Sequence, residues 1–160
     1  MSDIDTVWSN IAGRGDYVLA GADLQAGDDL MTAVLISLFT DRTAAPSDVL
    51  PDASTDRRGW WGDAGETYPI GSRLWLLERA KLTLTNTVQG QATALAAKNY
   101  SAEALQWMID DGVVAEFDLA TQIKLPNQLW LTITAYRTRG NKTAKNFAWT
   151  LAGPVIYTST

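Results

Sequence analysis

The C-terminal third of the chain alternates between apolar and polar residues, and this alternation constrains the fold more than any other feature. One set of alternate positions is mostly apolar in each of three runs, which cover residues 115–125, 129–135 and 145–151. The turn-forming pairs Pro126-Asn127 and Gly140-Asn141 separate the runs. A period of two is typical of strands that bury one face, and short turns between them favour antiparallel pairing. We therefore predict an antiparallel β-meander of three strands.

Upstream of these strands, the apolar residues recur with the spacing of a helix. Leu30, Val34 and Leu38 fall at i, i+4 and i+8, and a second apolar row lies beside them. The acidic pair Asp28-Asp29 precedes both rows, and carboxylates are favoured at the positive end of a helix dipole. We predict a central helix that starts at this pair and ends near residue 40.

Three further helices are predicted before the strands. One starts near Arg73, a second covers residues 87–98, and a third runs from the N-cap candidate Ser101 to Gly112, where glycine stops it. Helices packed on one face of the meander give an α+β architecture. We expect one domain over residues 1–160, with a strand or arm at 1–27 (Tyr17–Ala20 being the best strand), a helical region at 28–112 and antiparallel strands at 113–152.

The residue types that the chain lacks limit its chemistry. It has no cysteine and no histidine, which excludes disulfides, Cys/His zinc sites and triads that relay a proton through histidine. Its net charge of −5 argues against a nucleic-acid partner, which needs a concentrated basic face. No apolar run approaches the roughly 20 residues of a membrane span, and the acidic N-terminus is unlike a signal peptide. We expect a protein that stays in the cytoplasm, without membrane insertion, cofactor or metal.

The segment Asp56–Asp63, here called the tryptophan loop, places two adjacent tryptophans between glycines and after two arginines. Glycines disfavour a regular helix or strand, and loops that carry aromatic and charged residues are where recognition tends to lie. Tryptophan and arginine also dominate the energetics of protein interfaces. We predict that the loop contacts a partner through Arg57, Arg58, Trp60, Trp61 and Asp63.

Other interpretations of the tryptophan loop stay open. The indoles could fold back as a small core beneath the loop, and the arginines could form ion pairs with Asp56, Asp63 or Glu66. Glycoside hydrolysis needs two carboxylates about 5–10 Å apart, and Glu66 with Asp56 or Asp63 is the least unfavourable pair, because tryptophans stack on sugar rings. Neighbouring acids on a helix, such as Asp110-Asp111, do not face one another. We therefore predict no catalytic residue.

The same loop carries a resemblance to a known family. Residues 56–63, followed by residues 70–77, resemble the Mu-like phage tail baseplate protein family, and the similarity spans about residues 28–135. That family is similar in turn to the wedge and sheath-initiator (lysozyme-like) proteins of contractile tails. Many of those carry a Glu-Pro-Arg triplet where this chain has Asp110-Asp111-Gly112-Val113, so the contact made by that triplet is not carried over.

The resemblance implies a structural protein of the virion tail baseplate of a phage or prophage, assembled in the cytoplasm of the bacterial host. Such proteins surround the central spike in six copies, bind hub and wedge subunits, and start the polymerisation of the tail sheath. The alternatives are a peptidoglycan-degrading, lysozyme-like enzyme of the tail, or a small sugar-binding module that uses Trp60 and Trp61.

The third strand of the meander, residues 143–152, is expected to lie at the edge of the sheet, with Pro154 just after its end. Its outward positions Asn146, Ala148 and Thr150 are small, and an unpaired edge of this kind can accept a further strand. Combined with the resemblance, this predicts that an arm of the first sheath ring adds to the sheet there. The alternative is that the N-terminal segment around Tyr17–Ala20 covers the edge within the chain.

Overall fold

The computed structural model describes residues 4–9, 11–12, 14–27, 29–52, 54–80, 82, 87–124, 128–137, 142–150 and 153–157, and at Trp8 and beyond residue 141 it describes the backbone alone. Four short strands come first: β1 Thr6–Ser9, β2 Arg14–Tyr17, β3 Leu19–Ala20 and β4 Asp23–Leu24. Two helices follow, α1 Asp29–Phe39 and α2 Val88–Asp110, and then β5 Glu116–Lys124, β6 Gln128–Tyr136, β7 Lys142–Thr150 and β8 Gly153–Tyr157. The fold is α+β, as the sequence predicts.

Strands β5 to β8 form an antiparallel sheet in the order β5-β6-β7-β8. The register pairs Leu119 with Ile133, and Ile133 with Lys145. Burial on the inner face follows the predicted alternation, because Leu119, Ile123 and four alternate residues of β6 are buried. The three predicted strands are therefore confirmed, whereas both predicted turns lie outside the described residues.

The prediction that the third strand lies at the edge is wrong. Strand β8 pairs with β7, so that Asn146 lies opposite Tyr157, Ala148 opposite Val155, and Thr150 opposite Gly153. Proline in a strand is confined to edges and bulges because it lacks an N–H donor, and Pro154 lies in the outermost strand. The proline that was expected to follow the last strand is thus part of it.

The N-terminal segment does not cover this edge either. Strand β2 pairs with β1, and β3 pairs with β4, in two separate two-stranded sheets. The predicted strand at residues 17–20 is divided between the two hairpins. The arm is joined to the domain where the Thr6 N–H donates to the hydroxyl of Thr32 on α1 over 3.2 Å.

The predicted helix at residues 87–98 and the one starting at Ser101 are a single helix, α2. Ser101 is not an N-cap: its hydroxyl is buried and donates to the Ala97 carbonyl over 2.8 Å. The cap is Thr87, whose hydroxyl accepts from the Gly90 N–H over 3.1 Å. Gly112 ends the helix as predicted, with φ at +71°, the left-handed conformation that glycine adopts without strain.

Helix α2 packs against strands β5 and β6, helix α1 packs against α2, and their buried side chains join those of the sheet in one core. Leu38, Leu105, Met108 and Val114 are its largest fully buried apolar side chains. The predicted central helix is confirmed as α1, and the helix predicted near Arg73 is a short 3₁₀ helix, Leu74–Leu77. Within the described ranges, no helix is long and apolar enough to cross a membrane.

Candidate functional site: the tryptophan loop

The tryptophan loop lies beside a junction between the end of α1 and the start of the 3₁₀ helix Leu74–Leu77. Asp41 and Ser72 form a parallel bridge, and the Ser72 N–H donates to the Thr40 carbonyl over 2.9 Å. The buried Ser72 hydroxyl donates to the Leu38 carbonyl over 2.6 Å. Gly71 touches the same segment, because a Cβ at this position would lie 2.4 Å from the Thr40 carbonyl oxygen. This junction gives the loop a rigid base.

Arg57 holds the start of the loop against residues 43–55, which contain Pro46 and Pro51 and are here called the proline-containing segment. Its guanidinium donates to the carbonyls of Ala45 and Pro46, and its own carbonyl accepts from the Ala44 N–H over 3.0 Å. Each of these contacts is within the chain. The structure therefore assigns Arg57 a role in holding the loop, and a contact with a partner stays a prediction.

Arg58 is held even more firmly. Its guanidinium donates to Asp41 and to Glu78, each over 2.9 Å, and lies 4.5 Å from the centre of the Trp75 ring. Burial alone would lower the pKa of Arg58, but the hydrogen bonds and charges of the two carboxylates together raise it above its usual value. Ion pairs with Asp56, Asp63 or Glu66 were the alternative, and the actual partners lie 17 and 20 residues away.

The backbone of Arg58 has a φ of +52°, which is unfavourable for a residue with a side chain. Its N–H donates to Asp56 over 2.8 Å. Gly59 follows with a φ of +114°, and a Cβ there would lie 2.0 Å from the Thr43 hydroxyl oxygen. The first half of the loop therefore needs glycine at residue 59, both for its backbone conformation and for its close approach to Thr43.

The two indoles of the loop are not a small core. Trp60 is 39% exposed and Trp61 is 85% exposed, and their ring centres lie 5.5 Å apart with the planes tilted by 48°. The Trp60 ring lies over Gly62, because a Cβ on that glycine would be 2.3 Å from the ring. Trp75, by contrast, is only 4% exposed, and its indole N–H donates to the Arg42 carbonyl over 2.9 Å.

Asp63 closes the loop. One of its carboxylate oxygens accepts from the Ile70 N–H over 2.9 Å, and the other is buried without a hydrogen-bond partner in the described part of the chain. The Asp63 N–H donates to the Trp60 carbonyl over 3.1 Å. Among the described residues, none of the carboxylates Asp56, Asp63 and Glu66 forms an ion pair with a lysine or arginine.

A second arginine cluster lies next to the loop. Arg73 pairs with Asp48 and with Glu103, each over 2.8 Å, and lies 4.9 Å from the centre of the Tyr100 ring. Burial alone would lower the pKa of Arg73, but hydrogen bonds to the two carboxylates and their charges raise it. This cluster joins the proline-containing segment to α2, and sequence reasoning missed it because its members are 25 and 30 residues apart.

A pocket of about 300 Å³ opens beside this cluster. Its walls include Arg42, Tyr68, Trp107 and the carboxylate Glu103. Glu103 is ion-paired with Arg73 over 2.8 Å. In the part of the chain that the structure describes, no three acidic side chains are grouped so that they could hold a metal ion.

The predicted site residues therefore separate into four sets. The arginines hold the loop, Asp63 closes it, and the two tryptophans face outward. Asn146, Ala148 and Thr150 lie in β7 between two paired strands. Strand addition at these three residues is excluded where β8 already pairs with them.

Comparison with known proteins connects the loop to a family. Residues 30–142 match the family described as phage protein GP46. The chain is 45% identical to the baseplate protein gp46 of Escherichia phage Mu over 133 residues, which are 83% of this chain and 86% of that relative. It is 34% identical to the Mu-like prophage FluMu protein gp46 of Haemophilus influenzae over 154 residues, 94% of this chain and 100% of that relative. No solved structure matches the chain significantly.

Proposed function

This chain belongs to the phage protein GP46 family, and on that premise we propose that it is a structural protein of a phage tail baseplate. The name of the Mu relative, baseplate protein gp46, carries this proposal. The match extends over most of both chains, so it applies to the domain as a whole and includes the tryptophan loop.

The finer proposal follows the resemblance to the wedge and sheath-initiator proteins of contractile tails. We propose that six copies of the chain surround the central spike, contact hub and wedge subunits, and support the first ring of the tail sheath. The baseplate would be assembled in the host cytoplasm and remain in the virion tail. Because β7 is paired on both sides over residues 146–150, the sheath contact is not assigned to that strand.

The observation that best supports a docking role is the exposure of Trp61. Its indole is 85% exposed, although the loop beneath it is fixed by Arg57, Arg58 and two glycines. A large aromatic side chain held in place before binding loses little conformational freedom on association, which favours affinity. Tryptophan is also the residue type most enriched among interface hot spots.

We propose that the chain is not an enzyme. The alternatives were a lysozyme-like hydrolase and a sugar-binding module. Among the described residues that line the pocket, Glu103 is the one carboxylate, and it is already paired with Arg73, whereas glycoside hydrolysis requires two carboxylates across the sugar. Purified protein is expected to release no fragments from isolated peptidoglycan, and release that is lost on Glu103→Gln would overturn this part of the proposal.

The structural role is tested in the phage or prophage that encodes the chain. Deleting the gene should abolish tail assembly, and wild-type protein supplied from a plasmid should restore it and be found in purified baseplates. Trp61→Ala is expected to reduce its incorporation at least roughly tenfold, the scale of a hot-spot truncation. Val88→Ala is the matched control, because Val88 is as exposed as Trp61 but lies at the start of α2.

The two outcomes have different meanings. Normal tails in the deletion strain would overturn the structural role. Normal incorporation of Trp61→Ala, in a strain where the wild-type protein is required, would leave the baseplate role in place and remove the tryptophan loop from the interface.

A further inference from the structure

We propose that the surface around Trp61 binds an arginine-bearing segment of another baseplate protein. This inference rests on the proposed function and names the chemistry of the partner. From the sequence, Arg57 and Arg58 were expected to contact the partner and to bring positive charge to the interface. The present inference gives the positive charge to the partner. In the structure, both guanidinium groups are taken up by contacts within the chain.

The chain itself shows how an arginine is held in this region. Arg58 lies over the Trp75 ring and is paired with Asp41 and Glu78. Arg73 repeats the arrangement in the neighbouring cluster, over the Tyr100 ring and paired with carboxylates on two different segments. In both cases one aromatic face and two carboxylates surround one guanidinium.

The tryptophan loop and the residues just after it also carry an exposed aromatic ring and exposed carboxylates. Trp61 offers an exposed indole, and Asp56 and Glu66 are exposed carboxylates without an ion pair among the described residues. Backbone hydrogen bonds from the Asp63 N–H to the Trp60 carbonyl and from the Glu66 N–H to the Asp63 carbonyl, of 3.1 and 3.0 Å, place Glu66 two successive turns after Trp60. The surface is therefore aromatic and negatively charged, and a cation from outside would complement it.

Arginine fits this surface better than lysine. A planar guanidinium can stack on an indole and donate hydrogen bonds to carboxylates at its edge at the same time, whereas an ammonium is a compact, strongly hydrated charge. Arginine is also common at protein interfaces, while lysine is depleted there. An acidic partner segment would instead be repelled by Asp56 and Glu66, and it would find Arg57 and Arg58 already engaged.

The proposal can be tested with the isolated full chain. The probe is the peptide acetyl-Gly-Arg-Ala-Arg-Gly-amide, and the control is the same peptide with citrulline, which is neutral and nearly isosteric, in place of arginine. Indole N–H signals of the ¹⁵N-labelled protein are followed by NMR, and the signal of Trp61 is identified by its loss in Trp61→Phe. Peptide is added up to about 10 mM, a range that covers the weak affinity of a few exposed contacts.

We expect a saturable shift of the Trp61 signal with the arginine peptide and at least roughly tenfold weaker binding of the citrulline peptide. Glu66→Gln should weaken arginine binding about three- to tenfold, as loss of one charge-assisted contact does, without unfolding the chain. Equal responses to the two peptides, or no response of Trp61 to either, would overturn the proposal. A Trp61 response to a peptidoglycan disaccharide alone would also overturn it and favour a sugar-binding module.

A second arm separates this inference from the proposed function. Glu66→Lys and the control Asp118→Lys, which places the same charge change on the exposed side of β5, are supplied to the deletion strain. Reduced incorporation of Glu66→Lys alone supports an arginine-bearing partner. Equal incorporation of both variants overturns the inference while the baseplate role stands, and absence of the wild-type protein from baseplates overturns the proposed function itself.

Discussion

Arg58 lies with its guanidinium carbon 4.5 Å from the centre of the Trp75 ring. One residue comes from the tryptophan loop and the other from the buried 3₁₀ helix, so the stacking joins the loop to the protein interior. Asp41 and Glu78 complete the contact from two further segments. Arg58 therefore determines where the exposed indoles are placed, and its contact with a partner stays a prediction.

Arg58→Ala is expected to lower the free energy of unfolding by about 1–3 kcal/mol, because each of the two partly exposed ion pairs contributes roughly 0.2–1 kcal/mol and the stacking contact roughly 0.5–1 kcal/mol. This exceeds the effect expected of a residue that serves only a partner. Arg58→Gly loses the same contacts but relieves the positive φ, so it should be about 1 kcal/mol more stable than Arg58→Ala. Urea denaturation of the three proteins measures both differences, and equal stability of all three would contradict the anchoring role.

Gly62→Ala is expected to cost about 1–3 kcal/mol, the scale of overpacking, because its Cβ would lie 2.3 Å from the Trp60 ring. In a Trp60→Ala background the ring is absent, and the same substitution should cost about 0.5 kcal/mol or less. A double-mutant cycle by chemical denaturation isolates this interaction. The loss of stability in the double variant should be smaller than the sum of the two single losses. Additive losses would mean that the Trp60 indole does not pack on Gly62.

The acid stability of the chain should depend on Asp48. Burial alone would raise the pKa of Asp48, but hydrogen bonds from Arg73 and the Ala45 N–H, with the charges of Arg73 and Arg57, bring it below its ordinary value of 3.8. A carboxyl group with a lowered pKa stabilises the fold above its unfolded pKa, and this stabilisation is lost as the pH falls through the folded pKa.

We therefore expect the free energy of unfolding of the wild-type protein to fall more steeply below about pH 4 than that of Asp48→Asn. Above about pH 5 the difference between the two proteins should be constant, because Asp48 is fully ionised in both folded and unfolded chains. Urea unfolding at a series of pH values measures this. Parallel curves down to acid pH would show that the Asp48–Arg73 pair does not control the acid response.

The continuity of α2 can be tested with two hydroxyl residues. Thr87→Ala removes the N-cap and should cost about 0.5–2 kcal/mol, whereas Ser101→Ala replaces a mid-helix serine with the best helix former and should change stability by about 0.5 kcal/mol or less. Denaturation of the two variants gives the comparison. The reverse order would restore Ser101 as the start of a separate helix.

The parts of the fold that could be predicted from the sequence are those with a local periodic signal. Alternation with a period of two identified β5, β6 and β7, and the two apolar rows identified α1. The continuity of α2 through Ser101 was not predicted, because serine is a common N-cap residue. In the structure the Ser101 hydroxyl donates to the carbonyl of Ala97, four residues earlier. Strand β8 was missed because Pro154 was taken to end the sheet, although an edge strand tolerates proline.

The candidate site was predicted in part. The composition of residues 56–63 was sufficient to identify an aromatic loop outside regular structure. It could not identify the partners of the arginines, because Asp41 and Glu78 are brought to Arg58 by the junction at Ser72 and not by nearness in the chain. For the same reason it could not separate the indole that packs on Gly62 from the one that is exposed.

The contact at Arg58 also has a consequence for the order of events during assembly. The Arg58 contact forms only when the segments around residues 41, 58 and 78 have come together. Contacts between residues that are distant in sequence require closure of the intervening loops, which costs conformational entropy. We therefore expect the indoles to be fixed in place only after these three segments have met. We expect a growing baseplate to incorporate only fully folded subunits, because a copy that has not completed its fold offers no ordered surface to its neighbours.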